Sequence, residues 1–217
     1  RYERTEGGRV LPFVAWIPRR PSLAVSSATL GGGLGPCDWV LNATVPHDYD
    51  RADPGDHLAE LARDAGLGGR GVGLMTAVDV DTVAVGHDAG VQVWATVGID
   101  DPTWAAADPP GWHVADDARR PAPVGTINVV VAVPVRLADG ALVNAALTAT
   151  EAKVQALVGL GFAGTGTPTD AVCVVCPADG PAEPYGGPRS VWGARVARAV
   201  HAAMVDRHHD ARARSGR

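Results

Sequence analysis

The 217 residues suit one ordinary domain with a real core, and a content of 46% hydrophobic and 20% charged residues excludes a disordered chain. A formal charge of -5, with Arg and Lys scattered apart from Arg19, Arg20 and the tail Arg207 to Arg217, excludes a basic stripe for nucleic acid. No run approaches the roughly 18 apolar residues of a membrane helix, and three cysteines without a preceding signal peptide indicate a reducing, cytoplasmic setting.

Taken in order, residues 1–9 are polar and expected to fray, and the chain opens on Arg1 and not Met, which leaves room for residues or a domain upstream. Strands are predicted over Val10 to Ile17 and Leu23 to Ala28, followed by the glycine run Gly31-Gly32-Gly33 in the stretch SSATLGGGLG. That run is not the dinucleotide fingerprint, because its spacing is wrong and no helix pattern follows. It either turns the chain or lines a site with Ser26 and Ser27. Asp38 to Val45 is a strand containing Asn42, and Asp53-Pro54 opens a helix carrying Leu58, Leu61 and Ala62, stopped by Gly66. Gly71 to Val78 is a further strand; Thr82 to Gly86 and Val91 to Val97 flank a hairpin turn. Asp100 to Pro123 is a loop rich in Pro, Asp and Trp, where Trp104 and Trp112 either cover a flat ligand or anchor the loop.

Residues 125–175 form the central unit. Gly125, Thr126 and Asn128 open the apolar run Val129 to Val133, which has the content of a strand buried on both faces. Asp139 is placed to cap a helix over Ala141 to Leu160. Its stripe of Leu142, Ala145, Ala149, Ala152 and Ala156 lies beside a second stripe of Val143, Leu147, Val154 and Val158, so the helix is expected between two layers. Glu151 and Lys153 lie too far round the helix from one another to pair, and each needs another partner. The hydroxyl-rich loop Gly164 to Asp170 then enters the strand Ala171 to Val175, in which Cys173 and Cys176 face opposite ways and are expected as small buried residues. Ser190 caps a final helix with Trp192, Val196, Ala199, Val200 and Ala203 on its buried side. About nine strands and three helices in separate runs predict an α+β fold of mixed sheets layered with helices. One domain over 10–206 is expected, between the frayed segment 1–9 and the polar tail 207–217.

SSATLGGGL at 26–34, Asn42, VGLMTAV at 72–78, ATVGI at 95–99, GTIN at 125–128, TEAK at 150–153 and GTGTPTD at 164–170 together resemble the adenosylcobinamide amidohydrolases of corrinoid salvage. The ordered set spans roughly residues 12–205, and Ile99-Asp100-Asp101 departs from it where a small hydroxyl or amide residue is expected. The resemblance implies hydrolysis of the amide that joins aminopropanol to the corrin side chain, giving adenosylcobyric acid. Cobalt would come with the corrinoid, and neither a protein-bound metal nor another cofactor is implied. The stretch from Thr126 to Leu157 is more distantly similar to self-processing aminopeptidases of the ornithine-acetyltransferase type, which are helix–sheet–sheet–helix proteins. That similarity places the nucleophile on Thr126. Two other classes stay open: a corrinoid-binding module without catalysis, and a self-cleaving peptidase or acyltransferase split near Gly125–Thr126. A homo-oligomer is compatible with the sequence.

Amide hydrolysis needs a nucleophile or activated water, oxyanion donors and a proton for the leaving amine. The chain has no HExxH and no GxSxG, and its His residues have no partner implied by spacing. The candidate catalytic set is therefore Thr126 as nucleophile or water-positioning group, with Asn128 and amides near Gly31 to Gly33 or Gly125 at the oxyanion. Glu151 or Lys153 would be acid or base, oriented by Asp170. Candidate substrate contacts are Ser26, Ser27, Gly31, Gly32, Gly33, Asn42, Thr76, Thr165, Gly166, Thr167 and Thr169. Each has an ordinary reading as well: Thr126 and Asn128 as strand-start residues, Asp170 as a turn residue, Glu151 and Lys153 as solvated helix positions.

Overall fold

In the computed structural model, residues 1–100, 102–107 and 125–215 are described, with side chains through His209. Ten strands and three α-helices occur among them: β1 Tyr2–Glu6, β2 Arg9–Trp16, β3 Ser22–Ser26, β4 Gly33–Pro36, β5 Trp39–Thr44, α1 Pro54–Asp64, β6 Gly71–Thr76, β7 Ala84–Asp88, β8 Val91–Gly98, β9 Thr126–Ala132, α2 Asp139–Gly159, β10 Ala171–Pro177 and α3 Val191–Ser215. One sheet has the order β1-β2-β5-β6 and the other β4-β3-β10-β9-β8-β7. β5–β6 and β9–β10 are parallel and the remaining pairs antiparallel, so the expected α+β fold with mixed sheets is present.

Three apolar clusters define four layers. Leu58, Leu61 and Ala62 of α1 pack on Phe13, Leu41 and Ala43 of the first sheet. Val40, Val72 and Leu74 of that sheet meet Ala24, Val130 and Cys173 of the second. The far side of the second sheet, with Val93, Val129 and Val174, packs under α2 and α3. The order is helix, sheet, sheet, helices. Cys173 lies in the cluster between the sheets and Cys176 in the cluster under the helices, as strand alternation predicts.

The chain departs from expectation in several places. Residues 1–9 do not fray: β1 pairs with β2, and the alternation that puts Tyr2, Arg4 and Glu6 on one face lets Tyr2 stack on Phe13 at 5.0 Å between ring centroids. Arg4 also donates to the Thr44 carbonyl at 2.9 Å. The glycine run contributes β4, paired to β3 through Ser26↔Gly33. Asp139 is the first residue of α2 and makes no side-chain cap bond; its carboxylate sits in the first turn, where the helix dipole favours it. α2 lies in an outer layer, its alanine-rich stripe on the sheet, while Val143, Leu147 and Val158 of the second stripe face solvent. Ser190 accepts from Gly193 N–H at 3.0 Å, as predicted for the start of α3, and that helix runs on through the stretch expected as a polar tail.

His57 on α1 is buried, with Nδ1 3.0 Å from the Tyr49 hydroxyl and Nε2 3.7 Å from Glu6. Burial holds its pKa below the ordinary histidine value, against a smaller opposing pull from Glu6. The folded state then binds the proton less tightly than the unfolded chain, so stability is present near neutrality and lost as pH falls below the ordinary value. Thermal unfolding is expected at lower temperature at pH 5 than at pH 7, with a smaller difference in His57→Gln; an unchanged difference would place the acid sensitivity elsewhere.

Candidate active site

The space between the sheets is apolar at one end and polar at the other. On β5, β6, β8 and β9, residues facing the opposite sheet are hydrophobic up to Val40, Leu74, Trp94 and Val130. Alternation then brings Asn42, Thr44, Thr76, Thr96, Thr126 and Asn128 into the remaining half of the same layer. Of these, Thr76, Thr96 and Asn128 are each only 1% exposed.

The buried groups bond one another in a fixed order. Asn128 Nδ2 donates to Met75 O at 2.7 Å and to Asn42 Oδ1 at 3.1 Å, and Asn42 Nδ2 donates to Thr96 Oγ1 at 3.1 Å. Because a backbone carbonyl only accepts, the Met75 contact fixes which way the Asn128 amide points. Both amide hydrogens are thereby used on the protein, and Asn128 presents an acceptor rather than the donor an oxyanion needs. Its assigned oxyanion role does not fit this geometry; it joins the two sheets instead. Thr76 Oγ1 accepts from Val78 N–H at 3.1 Å, and Thr44 Oγ1 from Val80 N–H at 3.0 Å.

A second cluster forms where β9 and β10 begin. Asp170 Oδ1 accepts from Ile127 N–H at 2.9 Å and lies 2.5 Å from the Thr167 hydroxyl; Oδ2 accepts from Thr167 N–H at 3.2 Å and pairs with the Lys153 ammonium. The Lys153 and Asp170 side chains are 7% and 13% exposed. Asp170 thus gathers the loop, the opening of β9 and helix α2 around one carboxylate, with Lys153 as its ion-pair partner. Its occupied oxygens leave no acceptor position for a general base. Gly166 is required here, since any Cβ at this position would meet both Lys153 Nζ and Asp170 Oδ2.

Thr126, buried at the head of β9, has its hydroxyl oxygen 2.6 Å from that of Thr169. The carbonyl immediately before it, Gly125 O, receives the Thr169 hydroxyl at 3.0 Å and the Thr167 hydroxyl at 2.7 Å. Thr165 ties this loop to residues 103–105, accepting from Ala105 N–H at 3.0 Å, and Trp104 beside it is 49% exposed. Trp112 and most of the Asp100 to Pro123 loop lie outside the described residues.

Other candidates stay apart from this cluster. Glu151 is exposed on the solvent side of α2, and its side chain makes no hydrogen bond or ion pair among the described residues. Ser26 and Ser27 fasten the β3–β4 hairpin to β10: Ser26 donates to Val172 O at 3.0 Å, and Ser27 accepts from Val172 N–H at 3.1 Å. Gly31, at φ +71°, backs closely onto Gly71 O, Gly32 backs onto Ala28 O, and Gly33 pairs with Ser26. The run is a pinned turn against β6, through Leu30↔Gly73, rather than an oxyanion loop.

Sequence reasoning missed Thr44 and Thr96. Both are threonines at the polar ends of predicted strands, and the registers of β5 and β8 are what mark them. The three cysteines are free and buried, and burial raises each thiol, Cys37 to about 11, which is the reverse of what a thiolate nucleophile needs. A larger cleft, of about 800 Å³, opens at the opposite end of the second sheet between Trp16, Arg20, Gln92 and Pro134. Its one hydroxyl, on Ser22, donates to Arg20 O at 3.0 Å. Size therefore favours that end and chemistry the Thr126 end; reacting groups decide, because cleft volume alone supplies no nucleophile.

Four layers thus place the strand-opening Thr126 hydroxyl beside the Thr167 and Thr169 hydroxyls and the Lys153–Asp170 pair. The sequence model of the adenosylcobinamide amidohydrolase family matches residues 2–216, and the chain belongs to that family. It is 31% identical over 183 residues to an adenosylcobinamide amidohydrolase of Methanosarcina mazei, covering 80% of this chain and 84% of that one. It is 33% identical over 176 residues to one of Halobacterium salinarum, covering 80% and 74%. A crystal structure of the PH0078 protein from Pyrococcus horikoshii aligns with a TM-score of 0.43 at 14% identity, over 87% of this chain and 73% of that one.

Proposed function

We propose that the protein hydrolyses adenosylcobinamide at the amide joining aminopropanol to the corrin side chain, releasing adenosylcobyric acid. Family membership supplies the substrate class. The observation that carries the chemistry is the Thr126 hydroxyl at the opening of a central strand, 2.6 Å from Thr169 and beside a loop whose hydroxyls already converge on a carbonyl oxygen. In this reading Thr126 attacks the amide carbon or aligns the attacking water, threonine hydroxyls receive the developing negative charge, and Lys153 adds positive charge from behind Asp170. In this reading only the amide arm of the corrinoid reaches Thr126, which is buried at the head of β9. The macrocycle lies outside, against residues 102–107 and 164–169. Cobalt enters with the substrate, and no protein-bound metal is part of the reading. The reading also includes a cytoplasmic setting and no nucleic-acid or membrane partner; no helix among the described residues is long and apolar enough to cross a membrane.

The test is incubation of purified protein with adenosylcobinamide under dim light, with and without EDTA, following adenosylcobyric acid by chromatography. Product at equal rates in both samples is expected. Loss of product with EDTA would overturn the metal-free reading. Bound corrinoid without product would identify a binding module instead.

A further inference from the structure

We propose that a cavity between the second sheet and its helices binds a small monocarboxylate with a compact apolar body. The cavity, of about 160 Å³, lies between the end of β8 and the later turns of α2 and α3. Its walls include Val97, Ile99, Leu157, Phe162 and Met204, and Arg207 and His208 line it as well. Val97 and Ile99 flank Gly98, the residue that pairs with Thr126, and strand alternation turns both toward the helices while Thr96 turns to the other sheet. The cavity and the Thr126 side chain therefore lie on opposite faces of one sheet.

Arg207 is the residue that apolar packing does not explain. It makes no ion pair among the described residues, and the side chain of Asp206, next to it in the sequence, is exposed and pairs with none of them. Its guanidinium makes one hydrogen bond among them, from Nη2 to Thr82 Oγ1, long at 3.3 Å, and its Nε is buried with no partner. A buried donor left unmet on a charged group is costly, and an acceptor that carries negative charge removes that cost. Water can accept one bond, but walls of aliphatic side chain give it too few polar partners to hold it. A carboxylate accepts from two guanidinium nitrogens at once and supplies the missing charge. His208, edge-on to Phe162 with 5.3 Å between ring centroids, adds a ring N–H to the same cavity.

Volume limits the rest of the ligand. A cavity of about 150 Å³ lined by aliphatic and aromatic side chains accepts a benzene-sized molecule, so this one admits a phenyl ring or a short branched chain and excludes a macrocycle. Inorganic phosphate would meet the guanidinium and leave the apolar walls unfilled. A neutral hydrocarbon would fill the walls and leave Arg207 unmet. A carboxylate on an apolar body satisfies both.

The experiment is titration of the purified full chain with sodium benzoate and sodium isovalerate, read by calorimetry and by the thermal transition, with benzamide and inorganic phosphate as comparison probes. Saturable binding of both carboxylates is expected, with a rise in the transition temperature. Benzamide and phosphate should bind at least about 10-fold more weakly. Arg207→Met keeps the apolar stem and drops the guanidinium, and should weaken benzoate binding by about 10- to 100-fold. Ile99→Trp fills the cavity with Arg207 left in place and should abolish binding, which decides the matter if Arg207→Met fails to fold by circular dichroism. Thr126→Ala, on the other face of the sheet, should bind benzoate as the parent does. No saturable binding of either carboxylate by the parent chain, equal affinity for benzamide, or parental affinity in both Arg207→Met and Ile99→Trp overturns the proposal. None of these results bears on adenosylcobinamide hydrolysis, which is assayed separately.

Discussion

Thr126→Ala is expected to lower the rate of adenosylcobinamide hydrolysis by at least about 10³-fold, the scale of loss when a hydroxyl nucleophile is removed. The side chain is buried at the head of β9 and its oxygen bonds only within the threonine cluster, so removing it leaves the sheet pairing Thr126↔Gly98 in place. Circular dichroism and the thermal transition should therefore stay close to the parent while product formation stops. Thr126→Ser keeps the oxygen and should retain most of the rate. If the alanine variant turns over at the parent rate, Thr126 takes no part in the reaction. If serine and alanine are equally inactive, the methyl group and not the hydroxyl is what the site requires.

Asp170→Ala is expected to cost about 3–5 kcal/mol of stability, because it leaves the buried Lys153 ammonium without its partner. It also strips the acceptor from Ile127 N–H and Thr167 N–H, so the opening of β9 loosens along with the loop. Denaturant unfolding measures this, and a cycle with Lys153→Met separates the two contributions. The double variant should be more stable than Asp170→Ala alone, since the charge left without a partner is then gone. Additive losses would mean that Lys153 reaches another acceptor when Asp170 is absent.

Much of this site was legible because its residues stand where pattern breaks. Asn128 is a polar residue inside a run of valines, Asp170 closes a loop of glycines and threonines, and Lys153 interrupts an alanine-rich helix face. Periodicity located α1, α2, β9 and the β7–β8 hairpin for the same reason, since each repeats an unambiguous spacing. What periodicity could not provide was partners. Nothing in the order of residues says that Asn128 spends both amide hydrogens on Met75 and Asn42, which changes it from an oxyanion donor to a tie between sheets. Nor does it say that the second apolar stripe of α2, with Glu151 on it, faces solvent. A helix apolar on two sides is compatible with an outer layer when one of those sides is left bare. The strands β1 and β4 were missed because edge strands need little hydrophobic content: β1 alternates charges, and β4 is half glycine.

The hydrogen bonds that fasten the β3–β4 hairpin to β10 join residues 145 and 146 positions apart in the chain. β10 in turn carries the end of the Gly164 to Asp170 loop, and β9 lies beside it in parallel register. Parallel neighbours and distant partners of this kind close large loops before any contact repays the entropy, so they form late. The helices and the β7–β8 hairpin can assemble from local contacts while the threonine cluster is still open. The threonine cluster therefore depends on contacts between distant parts of the chain, and it is complete only when the segments that carry β3, β4, β9 and β10 are in place together.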